Sequence, residues 1–320
     1  MKEVINLPGP TVKIVDSQVP EPNDDQILIK VVVSGSNPKD WKAPELEALG
    51  VTSNELLVKM RHGMNQGDDI AGIVGKVGSN VIEFKPGDRV AAFHEMGTPG
   101  GSYAEYAISW SHTTSHLPEN TSFEEAATIP LAALTAAISL YAHHRLPAPW
   151  TPALKSIPLI VYGASTAVGS YAIKLACNSN IHPIIAIAGK GSYYVEGLID
   201  RSEGDMIVDY RGGVEATVKG IRDGLTSAGH STVRNAIDAA INIQIHKAPG
   251  YDDDRDLGLV FSRYFTKALQ NKSFSGHPCD IRPGGLEGVE EALKDLKDGK
   301  ASAVKYIFRI ADTPGIVYNR

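Results

Sequence analysis

Cysteine is scarce in this 320-residue sequence, which has only Cys177 and Cys279. Two thiols can form neither a disulfide framework nor the four-cysteine lobe of a structural zinc site. Cys177 lies on a predicted helix, where a free cysteine usually serves as a small buried side chain. The sequence therefore assigns no role to either thiol.

Long basic runs and long apolar runs are also missing. The net charge is −6, so the chain lacks the cluster of cations that neutralises the phosphates of a nucleic acid. The apolar runs are too short and too interrupted to span a bilayer, and the opening "MKEVINLPGP" has no signal-peptide core. We therefore expect a soluble, cytoplasmic protein that binds neither nucleic acid nor membrane.

The length predicts about two domains. Runs such as "ILIKVVVSG" and "DRVAAF" indicate a β-rich first domain, whereas "KAPELEALGVTSNELLVKM" is either helical or irregular. The helical pattern of "TSFEEAATIPLAALTAAISLY" begins at a cap provided by Thr121 or Ser122, and Pro130 should divide it into two helices.

From "LIVYGA" onward, apolar strands alternate with helical segments, which predicts a parallel sheet covered by helices. After Ala240 the pattern is short by one strand–helix unit of roughly thirty residues relative to a six-stranded dinucleotide fold. We therefore expect an α/β protein whose doubly wound sheet is truncated.

The stretch "VYGASTAVGSYAIKLA" runs from a strand through a turn into a helix. On the G-x-G-x-x-G pattern its three positions hold Ala164, Thr166 and Gly169, and Gly163 precedes them. A pyrophosphate at this helix N-terminus would be held by backbone amides and by the Ser165 and Thr166 hydroxyls. Such turns also occur without ligands, so the motif alone is weak.

The end of the second strand of this region, "IAIAGKGSYY", offers no acidic residue for a free ribose 2′-hydroxyl. Lys190 and Ser192 follow the strand instead, and a cation with a hydroxyl suits a 2′-phosphate. The pattern favours NADPH over NADH. The alternative is that Lys190 is an ordinary exposed loop lysine.

Five ordered segments together resemble the medium-chain dehydrogenase/reductase superfamily, and within it the zinc-independent quinone and enoyl reductases of secondary metabolism. The resemblance implies a GroES-like catalytic domain (1–125), a Rossmann NADP-binding domain (126–272) and a C-terminal segment (273–320) that returns to the first domain, with the cofactor in the cleft between the domains. The segments are "ILIKVVVSGSNPKDWK", "QGDDIAGIVGKVGSNVIEFKPGDRVAAF", "GGSYAEYAI", "AATIPLAALTAAISLY" and "VYGASTAVGSYAIKLA".

The resemblance also assigns roles to residues near the cofactor. Ser165, Thr166 and Val168 match the pyrophosphate loop, and Lys190 matches the position that binds the 2′-phosphate. Tyr210 matches a tyrosine that packs near the adenosine phosphate, although a half-buried tyrosine at a strand end is an equally good interpretation.

Zinc ligands of the metal-dependent relatives are not retained. Asn37 replaces the first cysteine, Asp68 and Asp69 stand where the second ligand belongs, and 126–150 contains no cysteine. We therefore expect no metal. Family placement brings Asn37 and Thr135 to the nicotinamide; it makes Lys39 and Tyr103 further donor candidates, and Tyr103 could instead pack in the core.

The resulting hypothesis is an NADPH-dependent, zinc-independent reductase that transfers hydride to a quinone or to the activated double bond of an enone or enoyl thioester. The shortened region after Ala240 leaves an alternative, a catalytically impaired nucleotide-binding protein with a regulatory or structural role. The resemblance is compatible with a monomer or a homodimer.

Overall fold

The computed structural model describes residues 1–51, 59–240 and 255–316. The described residues divide into two compact units, one of 1–51, 59–131 and 255–316 and the other of 132–240. In chain order the strands are β1 (Lys2–Asn6), β2 (Val12–Asp16), β3 (Gln26–Gly35), β4 (Asp69–Val77), β5 (Arg89–Phe93), β6 (Tyr106–Trp110), β7 (Thr114–His116), β8 (Leu159–Tyr162), β9 (Ile184–Ala188), β10 (Met206–Asp209), β11 (Asn235–Asp238), β12 (Cys279–Ile281) and β13 (Lys305–Arg309).

The α-helices are fewer than the strands in the described part of the chain, and most of them are longer than most strands. A π-helical turn, Ile138–His143, directly follows the helix Pro130–Ala137. The helices are α1 (Lys39–Ala48), α2 (Phe123–Ala126), α3 (Pro130–Ala137), α4 (Ala167–Asn178), α5 (Ser192–Glu196), α6 (Val214–Ser227), α7 (Arg255–Gln270) and α8 (Val289–Lys297).

The first unit is built on a mainly antiparallel sheet with strand order β12-β13-β3-β4-β5-β7, and β6 also pairs with β3. The run "ILIKVVV" makes β3 the central strand, because both of its faces are buried. Strand β13 pairs with it antiparallel, with Ile307 opposite Gly35. The C-terminal segment therefore contributes directly to this sheet.

Helix α7 packs on the first unit. The Ser262 hydroxyl donates to the His112 carbonyl oxygen at 3.1 Å, and the Arg263 guanidinium donates to the carbonyl oxygens of Ser111 and Thr114 at 3.2 and 3.0 Å. By its contacts, the segment 255–272 therefore belongs to the compact β-rich unit. The family resemblance instead places this segment in the Rossmann domain.

The second unit contains a four-stranded parallel sheet with order β10-β9-β8-β11 among the described residues. The predicted parallel α/β arrangement is therefore confirmed. The buried face of α6 includes Leu225, which packs with Ile185, Ile187 and Val208. The chain between β11 and α7 lies largely in 241–254, outside the described residues, where the predicted shortening of the sheet falls.

The capping and breaking residues predicted before α3 behave as expected. Helix α2 begins after Ser122, whose hydroxyl accepts a hydrogen bond from the Glu125 amide, so Ser122 and not Thr121 is the cap. Helix α3 then begins at Pro130, because proline lacks the amide hydrogen that an interior position needs. The ambiguous segment after Lys39 is helical as far as Ala48, and 52–58 lie outside the described residues. No helix in the described ranges combines the length and the apolar character that a membrane crossing requires.

Candidate active site and nucleotide-binding loop

A group of charged and polar side chains is buried where β3 ends, α1 begins and β4 begins. Burial of so many charges is costly unless each is paired, and functional sites are where such arrangements concentrate. We call this group the buried ionic cluster. Its members are Asn37, Lys39, Asp40, Asp68, Asp69, Tyr103 and Lys305.

Lys39 is the centre of one half of the cluster. Its Nζ lies 2.5 Å from Asp68 Oδ2 and 3.0 Å from Asp40 Oδ1, and it donates to the Gln66 carbonyl oxygen at 2.5 Å. The ammonium group donates one hydrogen bond, to the Gln66 carbonyl oxygen, and its contacts with the two carboxylates are ion pairs. Lys39 therefore bridges two carboxylates that would otherwise repel each other.

Lys305 is the centre of the other half. Its Nζ lies 2.5 Å from Asp69 Oδ2 and donates to Asn37 Oδ1 at 3.1 Å. Asn37 Nδ2 donates to the same Asp69 oxygen at 2.7 Å, while the Leu131 amide donates to Asp69 Oδ1 at 2.7 Å. Both ends of the Asn37 amide are therefore fixed in orientation.

One further hydrogen bond links the two halves of the cluster, and a second joins Tyr103 to it. The Asn37 backbone amide donates to Asp40 Oδ2 at 2.7 Å, and the Tyr103 hydroxyl donates to the same oxygen at 2.5 Å. Tyr103 is fully buried and its ring packs edge-on against Phe308. The structure thus places Tyr103 in the core, the alternative that the sequence left open, with its hydroxyl directed at Asp40.

The cluster shifts the protonation of its own members. Burial raises the pKa of Asp68 to about 7, against the opposing effect of Lys39. Burial also raises the pKa of Asp40, and burial together with Asp40 raises that of Tyr103. For Lys39, burial alone would lower the pKa, but the charges of Asp68 and Asp40 outweigh it and the pKa is raised. Burial thus brings the pKa of Asp68 close to neutral pH.

Sequence reasoning selected Asn37, Lys39 and Tyr103 but missed Asp40 and Lys305. Asp40 could have been found, because it lies three residues after Asn37 at the start of a helix, where an acidic side chain is favourable. Lys305 is 236 residues from its partner Asp69. No local pattern connects two positions so far apart.

The second unit carries a strand–turn–helix segment between β8 and α4, where the sequence predicts a nucleotide-binding loop. Gly163 has a φ of +75°, a left-handed conformation that favours glycine. A Cβ on Gly169 would lie 2.3 Å from the Gly163 carbonyl oxygen. These two glycines let the first turn of α4 pack directly on the loop.

Thr166 is the N-cap of α4. Its Oγ1 accepts from the Gly169 amide at 3.0 Å and donates to the Ala239 carbonyl oxygen at 3.4 Å. The Thr166 hydroxyl is thus occupied by protein groups. The backbone amides of Ser165, Ala167 and Val168 have no protein acceptor among the described residues. Free amides at the positive end of a twelve-residue helix fit a phosphate group.

The candidate 2′-phosphate residues follow the neighbouring strand. Lys190 is exposed just beyond β9, and Ser192 is the first residue of α5. Tyr210 comes directly after β10, and a Cβ on Gly189 would lie 2.7 Å from its ring. Because β9 and β10 are parallel neighbours, the structure brings Tyr210 against the residue that precedes Lys190. Thr135 lies apart from this group in sequence, on α3.

Comparison with known proteins places the chain in a family. The model of the alcohol dehydrogenase GroES-like domain matches residues 23–119. The trans-enoyl reductase fsr4 of Gibberella fujikuroi is 42% identical over 323 residues, covering 90% of this chain and 92% of the relative. The trans-enoyl reductase resD of Aspergillus sclerotiorum is 31% identical, covering 97% of this chain and all of the relative.

Solved structures agree in fold. The quinone oxidoreductase of Coxiella burnetii superposes with a TM-score of 0.66 at 22% identity, covering 97% of this chain and 99% of that one. The fold, the near-complete coverage and the 42% identity together assign the sequence. The chain belongs to the medium-chain dehydrogenase/reductase superfamily, as a reductase of that superfamily.

Proposed function

We propose that this chain is a cytoplasmic, NADPH-dependent reductase that acts without zinc on a quinone or on the activated carbon–carbon double bond of an enone or enoyl thioester. The observation that carries the proposal is the buried ionic cluster. Side chains at the positions of the zinc ligands in metal-dependent relatives, Asn37, Asp68 and Asp69, are each bonded to a lysine or to one another. The relatives named trans-enoyl reductases support the substrate class.

The side chains at these positions bind lysine ammonium groups and do not form a typical metal site. Asp68 is paired with Lys39 and Asp69 with Lys305, and a carboxylate so paired would have to lose its lysine before it bound zinc. An amide and two carboxylates also differ from the thiolates and imidazole that zinc prefers. Lys39 and Lys305 thus supply two positive charges to this end of the first unit.

The second unit offers the groups that a dinucleotide phosphate needs. The amides of Ser165, Ala167 and Val168 would hold the pyrophosphate, and Lys190 and Ser192 would hold the 2′-phosphate. The Tyr210 ring would pack beside the adenosine. The bound nicotinamide would supply the hydride. The Thr166 hydroxyl contributes through its cap on α4, which fixes the geometry of the amides.

Reduction of a conjugated double bond develops negative charge on a carbonyl oxygen and requires a proton at carbon. We assign the first requirement to the Lys39 end of the cluster and to Asn37 and Thr135, as groups that orient the reacting carbonyl. We propose Asp68 as the proton donor, since it lies 2.5 Å from Lys39 Nζ within the cluster and burial raises its pKa to about 7. Tyr103 positions Asp40 and through it Lys39.

The proposal is tested by titrating the purified protein with NADPH and with NADH and following nicotinamide fluorescence. Oxidation of the bound cofactor is then measured with a panel of quinones, enones and enoyl thioesters. We expect tighter binding of NADPH and turnover of at least one panel member. Binding without turnover across the panel would favour the alternative function, a nucleotide-binding regulatory protein.

A substitution of Lys190 tests the preference for NADPH over NADH. Lys190→Ala should weaken binding of NADPH by about tenfold or more, because a bond to a charged group is lost, and should leave NADH binding unchanged. Lys219→Ala is the matched control, an exposed lysine of the same unit that pairs with Asp223. An equal effect of Lys190→Ala on both cofactors would refute the assignment of the 2′-phosphate site.

A further inference from the structure

A second cluster of reactive side chains lies in the second unit, away from the nucleotide-binding loop. Cys177 is near the end of α4, His182 precedes β9, and Asp205 directly precedes β10. One donor atom from each of the three side chains lies within 4.8 Å of the others. Since strands β9 and β10 are parallel, this cluster is at the amino-terminal edge of the sheet, and Lys190 follows the opposite, carboxyl-terminal edge.

The Asp205 carboxylate organises the cluster. It is 3% exposed and accepts hydrogen bonds from the backbone amides of Ile184 at 2.6 Å and Asp200 at 2.9 Å. Its Oδ1 also lies 2.9 Å from His182 Nδ1. No lysine or arginine forms an ion pair with Asp205 in the described part of the chain. Among the described residues the imidazole is therefore the one cationic group in ion-pair contact with the carboxylate, and Arg201 acts on it electrostatically without such contact.

The surroundings of the cluster are negative. Asp205, Glu203 and Asp200 all act on His182 and raise its pKa, the hydrogen bond to Asp205 being the largest cause. Burial, with Asp205 and Asp200, raises the pKa of the Cys177 thiol to about 12. A field of this sign opposes a thiolate but attracts a cation, and a bound cation reverses its effect on the thiol.

We propose that Cys177, His182 and Asp205 bind a divalent transition-metal ion such as Zn²⁺ and that the ion stabilises the second unit. Thiolate, imidazole and carboxylate are the donor types of zinc sites. Tetrahedral zinc with ordinary bond lengths requires donor atoms about 3.4–3.6 Å apart. His182 Nδ1 and Asp205 Oδ1 are 2.9 Å apart and all three donor atoms lie within 4.8 Å of one another, so side-chain adjustments of about 1 Å reach this arrangement, and water would fill the fourth position.

The binding step balances as an exchange of protons for metal. The Cys177 sulfur forms a bond to the ion as its S–H bond breaks, and that proton goes to solvent. The imidazole and carboxylate likewise exchange the proton that they share for bonds to the ion. No oxidant or reductant takes part. The bound ion would tie the end of α4 to the starts of β9 and β10, so that three elements are held by one centre.

The test uses Co²⁺ as a spectroscopic probe on the reduced, metal-free full-length protein. A cobalt–thiolate bond gives a charge-transfer band in the near ultraviolet, and tetrahedral Co²⁺ absorbs strongly in the visible range. We expect both bands in the unmodified protein. The chain has only two cysteines, so Cys279→Ser should keep the near-ultraviolet band and Cys177→Ser should lose it.

Two further measurements complete the test. His182→Gln should weaken Co²⁺ binding by tenfold or more, and Zn²⁺ should raise the thermal unfolding midpoint of the unmodified protein and of Cys279→Ser but not of Cys177→Ser. Circular dichroism of each variant checks that it folds. Absence of the thiolate band in the unmodified protein, or its persistence in Cys177→Ser, would overturn the site. Cobalt binding without stabilisation by Zn²⁺ would overturn the stabilising role.

Discussion

The variant Lys39→Met tests whether the buried ionic cluster depends on its lysine. Methionine keeps a similar side-chain volume and removes the ammonium that lies 2.5 Å from Asp68 and 3.0 Å from Asp40. Breaking a buried ion pair by removing one partner costs about 3–5 kcal/mol, because the other charge stays buried without compensation. We expect a loss of this size in the free energy of unfolding at pH 8.

The loss of unfolding free energy in Lys39→Met should depend on pH, and the pKa of Asp68 determines whether it grows or shrinks as the pH rises. Burial raises that pKa from 3.8 to about 7, so the folded state binds the Asp68 proton more tightly than the unfolded state does. The contribution of Asp68 to stability is therefore highest below pH 4 and declines as the pH rises from 4 through 7. Without Lys39 the folded pKa moves higher still. The difference between variant and parent should consequently be smaller at pH 5.5 than at pH 8.

Urea unfolding followed by tryptophan fluorescence, to which Trp41 and Trp110 of the first unit and Trp150 of the second contribute, measures these differences. The double variant Lys39→Met/Asp68→Asn should recover at least half of the lost stability, since it removes the stranded charge. Lys219→Met, which breaks an exposed pair, should leave the midpoint unchanged. The reasoning is refuted if Lys39→Met costs the same at both pH values or if Asp68→Asn gives no recovery.

Three more substitutions test particular contacts. Gly169→Ala should lower the free energy of unfolding by about 1–3 kcal/mol through overpacking, because its Cβ would lie 2.3 Å from a backbone oxygen. The same variant should abolish cofactor binding in the nicotinamide fluorescence titration. Gly197→Ala is the control and should bind cofactor normally, since its Cβ would be 3.5 Å from the nearest neighbour. Tyr103→Phe should lose about 1.5–3 kcal/mol in urea unfolding, since it removes a hydrogen bond to the Asp40 carboxylate, and unchanged stability would contradict that bond. Ser122→Ala should cost about 1 kcal/mol through loss of the helix cap, and Ser122→Gly should cost only a few tenths.

Local patterns predicted the secondary structure well where they were strong. The apolar alternation gave the parallel sheet of the second unit, and Pro130 marked the start of a helix. The strand–turn–helix order of the candidate nucleotide-binding loop was also predicted despite its irregular glycine pattern, and Gly169 packs closely on the turn. These features depend on residues that are close in sequence, so the sequence alone specifies them.

The buried ionic cluster was predicted only in part, for a physical reason. Asn37 and Lys39 belong to one short segment, whereas Lys305 reaches Asp69 only because β13 pairs with β3. A lysine in a C-terminal strand is by default an exposed residue, and nothing beside it in the sequence signals burial. Long-range strand pairing therefore determined the half of the cluster that was missed.

The same argument explains why Cys177 received no role from the sequence. A thiol on a helix, a histidine five residues later and an aspartate 23 residues beyond that do not form a recognised metal-binding spacing. In a parallel sheet, however, the segments that enter successive strands meet at one edge, and His182 and Asp205 both precede strands that pair. The groups that we propose to bind phosphate follow strands and so lie at the other edge. A metal ion at the first edge should therefore stabilise the second unit without competing with the cofactor for any ligand.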